Sequence, residues 1–154
     1  MSVSPKSQDP IYWASVYRVA AVNFRLSAEA LLPTLELRDD GTPVKLTAVP
    51  FYFLLSHALE LFLKAALLKR GYVPADLKRF DTRHNLMALL DLLKKKGMSV
   101  SAESAAIVEG LSPQHQHHLL RYHLLMNPFM PAPTKLWPVL DELLFLTRIS
   151  THEK

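Results

Sequence analysis

Three ionisable residues near the middle of the chain stand at helical spacing: His57, Glu60 and Lys64, at i, i+3 and i+7. At about 100° per residue they form one narrow stripe, with each neighbouring pair in side-chain reach. Burying such groups without partners would cost about 2–5 kcal/mol for each unpaired charge. They must therefore reach water, pair with one another or face a cleft. Two readings follow. The stripe is the one solvated edge of its helix, with Glu60 and Lys64 as an i, i+4 ion pair worth only a few tenths of a kcal/mol. Alternatively, it lines a binding groove.

Other chemistry is thinner. His115, His117 and His118 precede Leu119-Leu120-Arg121-Tyr122-His123. His115 and His118 share a helix face and could hold a metal, but no carboxylate stands nearby in sequence and HExxH is absent. No metal site and no cofactor is therefore expected. Ser56 and His57 are not two-thirds of a triad, because neighbours on a helix point about 100° apart. There are no cysteines, which excludes a disulfide scaffold, a thiolate metal cluster and a cysteine nucleophile. No Walker A or Rossmann glycine pattern occurs among the four glycines.

The elements that must position these groups are helical. Four glycines and eleven prolines fall in the gaps between apolar segments, as helix punctuation requires. Trp13, Val16, Tyr17, Ala20, Phe24, Ala28 and Leu31 recur at three- and four-residue steps and predict a helix from about Ile11 to Leu32. Tyr12, Trp13 and Tyr17 should pack in the core or at a dimer seam. Leu35-Glu36-Leu37 and Val44-Lys45-Leu46 alternate around Asp40-Gly41. This could close a short β-hairpin over 35–47, though Pro43 suits a plain loop equally well. From Pro50 to Arg70 the chain is apolar almost all round, which predicts a central buried helix. It is not expected to span a membrane, because His57, Glu60 and Lys64 would be costly in lipid. Further helices are predicted from about Arg83 to Lys96 (capped by Asp81 or Thr82), from Ser101 to Val108, from Pro113 through Leu125, and from Lys135–Pro138 to about Ser150. The expected fold is an all-α, up-and-down bundle of five or six helices over residues 11–150, after a disordered tail at 1–10.

The segment His57-Ala-Leu-Glu60-Leu-Phe-Leu-Lys64-Ala-Ala-Leu-Leu, then Gly71, then His84-Asn85-Leu86-Met87-Ala88-Leu89-Leu90, resembles the HEPN superfamily. The likeness covers roughly Pro50 to Gly97, a third of the chain. It implies a helical bundle, often dimeric, associated with nucleotides or RNA and met in toxin–antitoxin and defence systems. The family pattern also pairs His84 with the stripe, so the expected ligand-binding set is His57, Glu60, Lys64 and His84. Active members cleave RNA without metal, using an Arg and a His four to six positions beyond it. The His would act on the ribose 2′-hydroxyl and the Arg would stabilise the phosphate. Arg79 and His84 have that spacing, but Phe80 stands where a polar residue belongs. Arg121–His123 and Arg148–His152 fit less well. The expectation is a module binding a nucleotide, RNA or protein partner. An endoribonuclease using Arg79 and His84 and a purely structural protein are the alternatives.

Length and charge agree with this outline. At 154 residues the chain makes one domain. Its 49% hydrophobic content excludes a disordered polymer. The net charge is +4. Nine basic and three acidic residues lie between Lys64 and Lys96, while the remainder is slightly acidic. A local basic surface draws phosphates, although cations in the last turns of helices also complement the dipole. MSVSPKSQDP lacks the apolar core of a signal peptide. A cytoplasmic homodimer without membrane attachment is expected.

Overall fold

The computed structural model describes residues 9–44, 48–79, 81–122 and 128–148. Six α-helices are found among them: α1 (Pro10–Leu31), α2 (Val49–Leu68), α3 (Leu86–Lys95), α4 (Ala102–Gln116), α5 (Leu119–Tyr122) and α6 (Leu136–Leu146). The fold is an all-α bundle, as the periodicity predicts. Of the expected tail at 1–10, only Asp9 and Pro10 are described. Asp9 caps α1 through its carboxylate, and Pro10 is already helical.

α2 is the axis of the molecule. It packs against each of the other five helices. Phe51, Tyr52, Leu55, Leu59, Phe62, Leu63 and Leu67 are buried on successive faces, and Phe53, Leu54, His57 and Leu61 mark a side that stays partly open. By composition alone α2 is apolar enough to cross a bilayer, but most of it is buried against the surrounding helices. It ends at Gly71, whose φ of +92° is a left-handed conformation that a Cβ would strain. The Tyr72 amide there returns to the Leu67 carbonyl at 3.3 Å.

Three expectations need correction. No hairpin forms over the described part of 35–47; Leu37 and Pro43 make one isolated bridge, and the turn between them is closed by Arg38 and Thr42. Residues 45–47 lie outside the described part. The helix expected from Arg83 starts later, at Leu86. Asn85 rather than Asp81 or Thr82 caps it, accepting the Ala88 amide at 3.0 Å. The preceding residues are used in a turn instead, with Thr82 Oγ donating to the Asp76 carbonyl.

The third correction concerns α4, which runs unbroken through Gly110 and Pro113 instead of dividing there. Pro113 cannot donate to the Glu109 carbonyl, but Glu109 is exposed and water can take that role. Gly110 is required by close packing, since a Cβ there would overlap the Phe129 ring. Gln114 pins the same segment, exchanging two hydrogen bonds of 2.9 Å with the Phe129 backbone.

Candidate functional site: a buried carboxylate ringed by histidines

The stripe on α2 is not a solvated edge. Glu60 is 1% exposed and Lys64 is buried beside it. The stripe faces the inner side of α4 and the turn that precedes α3. Lys64 Nζ donates to Glu60 Oε1 at 2.5 Å. The other oxygen, Oε2, is the focus of three imidazoles. His115 Nε2 lies 2.7 Å away, His84 Nδ1 3.1 Å and His57 Nδ1 3.9 Å.

Each side chain is placed by a distinct local device. His57 comes from α2 itself, one turn before Glu60, with its ring edge-on to Phe24 at 4.5 Å and stacked on Phe53 at 6.0 Å. His84 is held at φ 59° between the Thr82 turn and the Asn85 cap. His115 sits in the last turn of α4, on the face that buries Val108 and Leu111. His118 has φ 56° and stands in the break between α4 and α5, its ring 4.7 Å from that of His84. Among the described residues, His84 and His118 are the non-glycine residues with left-handed backbone. Such conformations cost about 1–3 kcal/mol and persist only where the surroundings enforce them.

Electrostatics fix the roles. Burial alone would raise the Glu60 pKa. The His115 hydrogen bond and the nearby Lys64 charge overcome that and hold the group far below the usual carboxylate range. An ionised carboxylate only accepts, so His115 donates through Nε2–H and His84 through Nδ1–H. Burial lowers the His57 pKa. Glu60 opposes that shift, and His115, His84 and Lys64 reinforce it. The Tyr17 hydroxyl is pushed up by burial first and then by the Glu60 charge. His118 is lowered by desolvation, then by His84, Arg121, His115 and Arg83. Arg121 also lies over the Phe53 ring, 5.9 Å from its centroid. The mouth of the cluster is thus basic and aromatic while its floor carries one carboxylate.

His57, Glu60, Lys64 and His84, the set expected from the sequence, are brought together. His115 completes the ring and was not in that set. The weak pair Arg79 and His84 is divided: Arg79 is 70% exposed in its side chain and ion-pairs with Asp81 at 3.5 Å, whereas His84 turns inward. His123 and His152 lie outside the described residues. The basic run is partly tied up: Lys64 by Glu60, Lys69 by the Thr147 and Arg148 carbonyls, and Lys94 by Asp91 at 3.6 Å.

A cavity of about 410 Å³ opens elsewhere, between the first turns of α1 and the ends of α2 and α6. Ile11, Ala14 and Val19 form its apolar wall, and Arg18, Lys69 and Arg148 bring positive charge. It shares no lining residue with the Glu60 cluster.

Comparison with family models, curated proteins and solved structures finds no match to this chain.

Proposed function

We propose that the chain is a HEPN-like binding module that takes the phosphates of RNA or a nucleotide at the mouth of the Glu60 cluster, and that it works as a homodimer. The observation that carries this reading is the pair of strained histidines, His84 and His118, set edge-on with ring centroids 4.7 Å apart and with Arg83 and Arg121 close enough to depress the His118 pKa. Backbone strain confined to two imidazoles beside two guanidiniums is the signature of a site rather than of a core. Arginine suits phosphate because its fork donates two parallel hydrogen bonds. Phe53 beneath Arg121 adds a ring on which a base could stack. A place in a toxin–antitoxin or defence system and a cytoplasmic setting belong to the same proposal, on the resemblance alone.

A second reading is metal-independent RNA cleavage. It is favoured by the Glu60–His84 hydrogen bond at 3.1 Å. A carboxylate on Nδ1 fixes the tautomer and leaves the opposite nitrogen of His84 as a free base. In this version His118, Arg83 and Arg121 stand closer to His84's chemistry than Arg79 does.

One assay addresses both readings. A labelled single-stranded RNA is titrated with protein in EDTA at several salt concentrations, and the RNA is then run on a gel. Binding should weaken steeply with salt and fall at least tenfold in the Arg83→Ala/Arg121→Ala double variant. Cleavage abolished by His84→Ala would make the module an enzyme, and intact RNA would leave it a binder. Binding that ignores both salt and the two arginines would refute the proposal in favour of a protein-interaction role.

A further inference from the structure

The Glu60 cluster also has the make-up of a metal centre. This inference goes beyond phosphate binding at the mouth and does not depend on it. His57 Nδ1, a Glu60 carboxylate oxygen and His115 Nε2 all lie within 4.8 Å of one another. The sequence argued against a metal because no carboxylate stands near His115 and His118. The fold removes that objection, since Glu60 arrives from another helix.

We propose that His57, Glu60 and His115 bind a divalent transition-metal ion, zinc by preference, with one coordination position open toward His84 and the mouth. Two imidazoles and a carboxylate with a free fourth position are the donor set of catalytic rather than structural zinc sites. Nitrogen and oxygen donors select Zn²⁺, Co²⁺ or Ni²⁺ over Mg²⁺ and Ca²⁺, which prefer all-oxygen shells.

The geometry is close to what such an ion needs. Bonds of about 2.0–2.1 Å at a tetrahedral centre set donor atoms roughly 3.3 Å apart. The observed Oε2 separations of 2.7 Å to His115 and 3.9 Å to His57 bracket that value. The two imidazole nitrogens lie within 4.8 Å of each other, so the His57 ring would swing inward by up to about 1.5 Å to bring all three separations to that value. Lys64 occupies Oε1, so the ammonium and the ion would use different carboxylate oxygens. Binding asks no proton of Glu60, which is already ionised. When the ion takes Nε2 of His115, the proton there moves to Nδ1 of a neutral ring or, from an imidazolium that already carries Nδ1–H, is released to solvent. His84 keeps its Nδ1–H on the carboxylate and acts as the partner that orients it.

The open side is defined by exposure. His115 and Glu60 are closed off, while the His57 and His84 side chains retain 26% and 21% of their exposure. An ion could enter there, and a water or phosphate oxygen could occupy its remaining position.

The test uses the full chain, stripped with EDTA and dialysed, titrated with ZnCl₂ calorimetrically and with CoCl₂ by visible absorption. We expect one equivalent of Zn²⁺ with micromolar or tighter affinity, and the intense visible bands of four-coordinate Co²⁺. His115→Ala and His57→Ala should each weaken Zn²⁺ at least a hundredfold, while His117→Ala, at an exposed position outside the cluster, should change nothing. His57 is half-buried and its variant should fold, as circular dichroism can verify, so the result holds even where His115→Ala unfolds. Mg²⁺ should neither bind nor compete. No heat with Zn²⁺, or uptake that persists in His57→Ala, would overturn the assignment. The RNA assay is run in EDTA and reports on Arg83 and Arg121, so either proposal can fail without the other.

Discussion

At the scale of single residues, Glu60 is the point on which the site turns. It is a buried anion with one ammonium and two imidazole donors, and removing it strands all of them. Glu60→Ala should destabilise the fold by about 3–5 kcal/mol, the usual consequence of leaving a buried charge uncompensated. Replacing Glu60 and Lys64 together with methionine should cost far less, because the pair's desolvation penalty disappears with it. Urea unfolding at unchanged m-value would separate the two outcomes. Equal losses in the single and double variants would mean that Lys64 is not held by Glu60. Much of this cluster is legible in the sequence: the stripe is a matter of spacing, and His84 follows from the resemblance. His115 is not, because it lies 55 positions from Glu60 and only packing of α4 on α2 joins them. Its signal was its phase. Val108, Leu111 and His115 share one buried face, but breaking the helix at Pro113 conceals that continuity.

At the scale of elements, existence was easier to read than boundaries. Apolar periodicity depends on many residues and survives local exceptions. A helix end depends on one cap. Asp81, Thr82 and Asn85 are all competent caps, and the choice of Asn85 follows from tertiary contacts: Ser112 on α4 donates toward Asn85 and accepts the Met87 amide at 3.1 Å. The start of α4 is tied in a similar way. Ser101 caps it by accepting the Ser104 amide, and Glu142 on α6 accepts from the Ser101 amide and hydroxyl, each at 2.7 Å, and from the Ser104 hydroxyl at 2.8 Å. Partial burial would raise the Glu142 pKa; the bonds from Ser101 and Ser104 outweigh it and lower the group below its ordinary value near 4.5. A carboxyl whose pKa is lower folded than unfolded stabilises the fold above its ordinary pKa. That contribution fades as pH drops through the folded value. Glu142→Gln should therefore be less stable than the native chain at pH 7, by about 1 kcal/mol. The gap should narrow as pH falls below 4.5. A gap independent of pH would show that packing, not charge, joins α6 to α4.

At the scale of the whole molecule, the same helix that shields one side of α2 presents an outer face with a run of exposed apolar residues. Tyr12, Val19 and Leu26 recur every seven residues along α1 and are about half or more exposed. The exposed neighbours Ser15, Asn23, Ser27 and Ala30 carry no charge, and the Glu29 carboxylate near the end of the stripe is paired with Arg25. A seven-residue apolar repeat is the period at which two helices can stay in register along a seam. A stripe of this kind fits a second copy better than it fits solvent. Ile11, Ser15 and Val19 also line the 410 Å³ cavity, so a partner's side chain would meet a recess rather than a flat wall. The homodimer proposed with the function is therefore expected to form through α1, away from the Glu60 cluster. Light scattering coupled to size exclusion should give twice the 17.5 kDa chain mass. Val19→Glu with Leu26→Glu should return the monomer while leaving the far-ultraviolet spectrum helical. A native chain that elutes as a monomer at about 100 μM, well above the concentrations at which standard interfaces dissociate, would refute dimerisation. A dimer indifferent to both glutamates would move the interface off α1. Either result would leave the His57, Glu60 and His115 centre untouched, because every one of its donors comes from within a single chain.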